Sequence, residues 1–76
     1  MLHWYMFTFL HPEKATTMAA VVHSAMELKK FTINYDSKTG VTTLMLATRM
    51  SIDALKDACK VLSFYEGINF DNALML

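Results

Sequence analysis

Glycine occurs twice, proline once and cysteine once in 76 residues. With so few chain breakers, most of the chain is expected in regular structure joined by short connections. The one thiol, Cys59, can close no internal disulfide and is too few for a cysteine-rich zinc site. Charge is also scarce: charged residues are 18% of the chain, and seven basic and seven acidic side chains cancel. No global field therefore draws the chain towards nucleic acid or an anionic membrane. Long apolar runs are missing too, since Met18 to Val22 and Leu44 to Ala47 fall far short of the ~18 residues of a membrane span. Met1 to Leu10 is apolar but carries no basic leader or small-residue cleavage site, so it does not read as a secretory signal. A cytoplasmic protein without a membrane segment is expected.

What is present is a hydrophobic content of 54%, too high for a disordered chain and suited to one domain over residues 1–76. Leu2 to Leu10 is bulky, aromatic or β-branched, which favours a strand. Alternation puts Trp4, Met6, Thr8 and Leu10 on one side and His3, Tyr5, Phe7 and Phe9 on the other. Neither side is polar, so a central strand covered on both faces is expected, and the pattern leaves open which face meets the helices.

Pro12 and Glu13 suit a helix start, and the apolar residues Ala15, Met18, Ala19, Val21, Val22, Ala25, Met26 and Leu28 keep a helical period as far as Lys30. Lys29 and Lys30 then sit at the negative end of that helix. Phe31 to Tyr35 and Val41 to Ala47 flank a polar loop, Asp36 to Gly40, that reads as a hairpin. Pairing Tyr35 with Val41 places Phe31, Ile33, Tyr35, Val41, Thr43 and Met45 on one face, with Leu44 and Leu46 on the other. Ser51 reads as the N-cap of a second helix with Asp53 in its first turn. Ile52, Leu55, Ala58, Cys59 and Leu62 form its apolar stripe, Phe64 projects on the side of Asp57, and Gly67 before Ile68 reads as its C-terminal cap. Ile68 to Leu76 is a candidate fourth strand.

The order β-α-β-β-α, with a short last strand, predicts an α+β fold of the ferredoxin-like split βαβ type: one antiparallel sheet with two helices on one face. The uncovered face would carry Leu44 and Leu46 plus one apolar side of the first strand. Exposed apolar area on that scale commonly marks a partner surface. A homodimer or a complex with another protein is expected there, with Trp4 and Phe64 as aromatic anchors beside Leu44 and Leu46.

No catalytic, cofactor or metal set emerges. On one strand His3 and His11 would stand about 26 Å apart at ~3.3 Å per residue, and His23 falls on the polar side of the first helix. Cys59 lies on an apolar stripe, where a thiol behaves as a small hydrophobe, and capping accounts for Ser51 and Asp53. His11 to Lys14 offers no glycine-bearing phosphate loop and no arginine. RNA binding is the main alternative: Tyr5, Phe7 and Phe9 would form half of a base-stacking platform, with Lys38 and Arg49 among the cations around it. A small-molecule-sensing dimer with its ligand at a seam between two sheets is a further alternative. The seven methionines mostly fall on core stripes, where gap-filling is their expected role.

In its brevity and its Met- and aromatic-rich composition (Met6, Met18, Met45, Trp4, Phe7, Phe9) without a catalytic set, the chain resembles small phage or mobile-element accessory proteins. The resemblance is one of composition. It implies a non-enzymatic module that inhibits or regulates a protein partner by occluding it.

Overall fold

The computed structural model describes residues 2–25 and 28–72. They form an α+β fold with the order β1 (His3–Phe9), α1 (Pro12–Ser24), β2 (Leu28–Asp36), β3 (Val41–Thr48) and α2 (Ile52–Cys59), followed by 3-10 turns at Tyr65–Gly67 and Phe70–Asn72. The sheet has three strands in the order β1-β3-β2. β1 and β2 both run antiparallel to β3 and hence parallel to each other, so α1 is the helical crossover that such a pair requires.

α1 starts at Pro12, where the missing N–H costs no hydrogen bond, and Glu13 sits in its first turn. Ala15, Met18, Ala19 and Val22 are its buried residues, spaced to line one stripe. The helix ends at Ser24, not at Lys30. Leu28, Lys29 and Lys30 belong to β2, which pairs along β3 from Asp36 opposite Val41 to Leu28 opposite Thr48. β3 is the middle strand, and this longer β2 gives it a partner on that side at every position, as a buried backbone demands. The cost is a bulge between Leu28 and Lys30. Met26, expected on the helical stripe, and Glu27 lie outside the described residues.

The hairpin register differs by one residue from the expected one, and that slip rearranges the molecule. Asp36 pairs with Val41 and Tyr35 with Thr42. Asp36 organises the turn: its backbone oxygen accepts from Gly40 N at 2.8 Å and its Oδ1 accepts from Lys38 N at 2.9 Å. Gly40 closes the turn at φ 72°, a conformation that side chains resist. Because side chains alternate, a one-residue slip exchanges the faces of one strand relative to the other. Leu44 therefore lies between Phe7 and Ile33, and Leu46 between Tyr5 and Phe31.

Leu44 and Leu46 are fully buried, in one core with Tyr5, Phe7, Phe9 and the inward residues of both helices. Both helices therefore cover the same face. Burial of Leu44 and Leu46 overturns their expected place on the open side. That side instead shows Trp4 next to Ala47 and Met6 next to Met45 at one end. Thr8, Thr43, Val41, Lys30, Thr32, Asn34 and Asp36 occupy the rest. Apolar side chains (Trp4, Met6, Val41, Met45 and Ala47) and polar ones share this face.

β1 is not central: among the described residues it is an edge strand, with β3 on its only paired side. Its double apolar pattern has two separate causes. Tyr5, Phe7 and Phe9 are core, while Trp4 and Met6 are half-buried on the other face. Tyr5 keeps its hydroxyl satisfied by donating to Met50 O at 2.8 Å.

α2 begins as expected, with Ser51 Oγ accepting from Ala54 N at 3.2 Å, and buries Leu55 and Cys59. It stops at Cys59 and the chain folds through tight turns, so Leu62 reaches the core from outside the helix. Gly67 ends a 3-10 turn rather than α2. The start of the expected fourth strand is a 3-10 turn at Phe70–Asn72, and residues 73–76 lie outside the described part. Phe70 is buried and meets the Phe7 ring edge-on, centroids 5.6 Å apart.

Candidate functional site

The largest aromatic side chains left open to solvent stand on the helix side of β2. Phe31 is 51% exposed and Tyr35 59%. They share a face with the buried Leu44, Leu46 and Thr42 of β3, so the covering helices leave the outer rim of β2 bare. Apart from His23, the residues α1 turns towards β2 are small (Thr16, Ala19 and Ala20), and a groove of about 310 Å³ remains between them. Ala19, Ala20 and His23 of α1 and Leu28, Phe31 and Ile33 of β2 line it. Its walls are mainly apolar, and the exposed charges Lys29, Lys30 and Asp36 stand along the same strand. Beyond this rim β2 has no neighbouring strand among the described residues. The site therefore combines aromatic rings, an apolar hollow and an unpaired strand edge.

The other expected anchors lie elsewhere. Trp4 is half-buried on the opposite face of the sheet. Phe64 is not on a helix: its ring meets Phe9 edge-on at 6.2 Å, and Lys14 Nζ stands 5.6 Å from its centroid. It caps the core. Leu44 and Leu46 cannot touch a partner in the folded chain, since both are at 0% exposure.

The base-stacking platform fails on the same geometry. Tyr5, Phe7 and Phe9 are 1%, 4% and 8% exposed beneath the helices, where no nucleobase can reach them. Lys38 lies in the hairpin turn and Arg49 just after the far end of β3, so about 23 Å of strand separates them at ~3.3 Å per residue. They do not form one basic patch.

His3 stands 6.1 Å, ring to ring, from Tyr5, His11 is 4.0 Å from Glu13, and His23 is exposed on α1. Among the described residues no group of three or more His, Cys, Asp or Glu side chains could hold a metal ion.

Cys59 is fully buried, and burial pushes its thiol up from 9.0 to about 11. A group in this state is neither a ready nucleophile nor a redox sensor. In the native protein it should react with a thiol reagent at least about 100-fold more slowly than in the unfolded chain, and equal rates would refute the burial. The linkage has a definite sign. Above pH 9.0 the unfolded chain loses the Cys59 proton, while the folded chain keeps it until about 11. Stability is therefore lost as pH rises through that window, by up to about 1.4 kcal/mol per pH unit. Denaturant melts of Cys59→Ala should show a shallower decline there than the parent.

No protein-family model, curated protein or solved structure matches this chain. Among the described residues no helix is long and apolar enough to cross a membrane. The β2 rim was the part of the surface that sequence reasoning missed. Phe31 and Tyr35 stood out as strand aromatics, but their exposure depends on where α1 lies over the sheet.

Proposed function

We propose that this chain is a non-enzymatic binding module that regulates or inhibits a protein partner, and that the β2 rim is its contact surface. One observation carries the reading: Phe31, which lines an apolar groove, and Tyr35, on the same face of β2, are each exposed over half or more of their surface. A fully buried aromatic side chain removes 150–250 Å² from water, so covering the open half of each ring hides about 200 Å² in all. At about 25 cal/mol per Å² that is a gross gain of about 5 kcal/mol, before the costs of association. An unpaired strand edge next to such anchors suits capture of another polypeptide by strand addition. A ferredoxin-like arrangement agrees with this reading, because β1-β3-β2 is the order such a sheet has without its last strand. The compositional likeness to small accessory proteins that block a host factor points the same way.

The test compares tagged wild type with Phe31→Thr/Tyr35→Thr as baits in an extract of the source cell. Both rings are largely exposed, so the double variant should keep the wild-type circular dichroism and melt within about 1 kcal/mol of it. Wild type should enrich a protein that the double variant does not. Equal enrichment by both baits, or none by either, rules out this surface as the contact for a different protein.

A further inference from the structure

We infer that the β2 edge pairs with the β2 edge of a second copy of this chain, antiparallel about a two-fold axis at Ile33, to make a continuous six-stranded sheet. The inference rests on the β2 rim being the binding surface and names its occupant. β2 ends the sheet among the described residues, so its outward N–H and C=O groups form a template for another strand. Which strand fits follows from the order Lys30-Phe31-Thr32-Ile33-Asn34-Tyr35-Asp36.

With Ile33 facing its own copy, Phe31 meets the partner's Tyr35 twice across the axis. These rings fall on the helix side, where the groove beside Phe31 is open. On the other face Lys30 meets the partner's Asp36, also twice, and Thr32 meets the partner's Asn34. Cross-strand aromatic and opposite-charge pairs are the stabilising units of a sheet.

Neighbouring registers lose this match. Moving two residues one way sets Lys30 against the partner's Asn34 and Asp36 against its Leu28. Moving two the other way sets Lys30 against the partner's Lys38. An edge lysine ordinarily repels an incoming strand, and here it selects one partner and one register.

The size of the contact sets its strength. The four rings cover about 400 Å², and two edges about 20 Å long and 10 Å deep add about 400 Å² more. The total of about 800 Å² lies below that of a permanent interface. A reversible dimer with a dissociation constant in the micromolar range is expected.

Sedimentation of the purified full chain from about 1 µM to about 1 mM should show its mass rising from 8.7 kDa towards twice that value. Lys30→Glu should raise the dissociation constant roughly tenfold, with no change in circular dichroism. Register is read by cross-linking. In Ile33→Cys the two new thiols face each other at a Cα separation of about 4.5–5.5 Å, within disulfide range. In Phe31→Cys they are about 13 Å apart along the strands. Mild oxidation should yield a disulfide dimer from the first variant and none from the second, while buried Cys59 stays reduced in both.

A chain that remains monomeric at all concentrations overturns the inference, as does a dimer that cross-links through position 31 instead of 33. Monomeric protein that still enriches a partner through Phe31 and Tyr35 leaves the binding-module reading standing. A cross-linked dimer that enriches nothing overturns that reading alone.

Discussion

Leu44→Asp should abolish folding, whereas Thr43→Asp, one residue away, should leave a folded protein. Leu44 is at 0% exposure in the middle of β3, flanked by Phe7 and Ile33 and roofed by the helices. Removing a buried leucine costs about 2–5 kcal/mol. A lone carboxylate in its place adds several more, because it must shed water with no partner or take up a proton. At about 0.05–0.15 kcal/mol per residue, a domain of this length holds only about 4–11 kcal/mol in total. The substitution consumes most or all of it.

Thr43 faces the other way, half-buried between Thr8 and Asn34, so aspartate there stays hydrated and should cost about 1 kcal/mol or less. Thermal melts followed by circular dichroism decide the matter. Loss of a cooperative transition is expected for Leu44→Asp alone. A cooperative melt from that variant, or unfolding of Thr43→Asp, would show that the register of β3 is wrong. The pair also separates a core role for Leu44 from a role in association, since a contact residue would lose binding with its fold intact.

Phe70→Ala should destabilise the protein by about 3 kcal/mol, although Phe70 lies in the last described turn, where sequence position suggests little consequence. Phe70 is 8% exposed, its ring edge meets Phe7 at 5.6 Å, and Tyr65 stands 5.8 Å away. Lys56 Nζ lies 5.9 Å from its centroid, so the aromatic face also meets a cation. Those contacts join the turns after α2 to β1, one of the two edge strands among the described residues. Truncating the ring removes transferred apolar area and opens a hollow beneath β1. Val61→Ala is the control, because Val61 is 80% exposed and should change stability by less than about 0.5 kcal/mol. Urea denaturation of the two variants measures the difference. Equal midpoints would mean that the turns after α2 do not belong to the cooperative unit.

Local features of the fold were legible in the residues themselves. The spacing of Ala15, Met18, Ala19 and Val22, the cap at Ser51 and the turn closed by Gly40 each lie within a few positions, and the interactions behind them are equally short in range. The end of α1 was not legible, because Leu28 to Lys30 satisfies a helical period and a strand ladder alike. Pairing with β3 decided between them. Leu44 and Leu46 were recognisable as strand residues, yet their side of the sheet depended on whether Asp36 belonged to the loop or to the ladder. Phe64 and Phe70 carried no usable pattern, since the turns after α2 follow neither a helical nor a strand period.

By itself, the sequence determined the α+β class, the order of the first five elements and most of the apolar stripe of each helix. Tertiary structure alone decided the hairpin register, the middle position of β3, the burial of Tyr5, Phe7 and Phe9, and the exposure of Phe31 and Tyr35. The division has a physical cause. Propensity and periodicity act through neighbours in the chain, whereas the side of a sheet that is dry depends on which distant elements lie across it, and a shift of one residue in pairing reverses the answer.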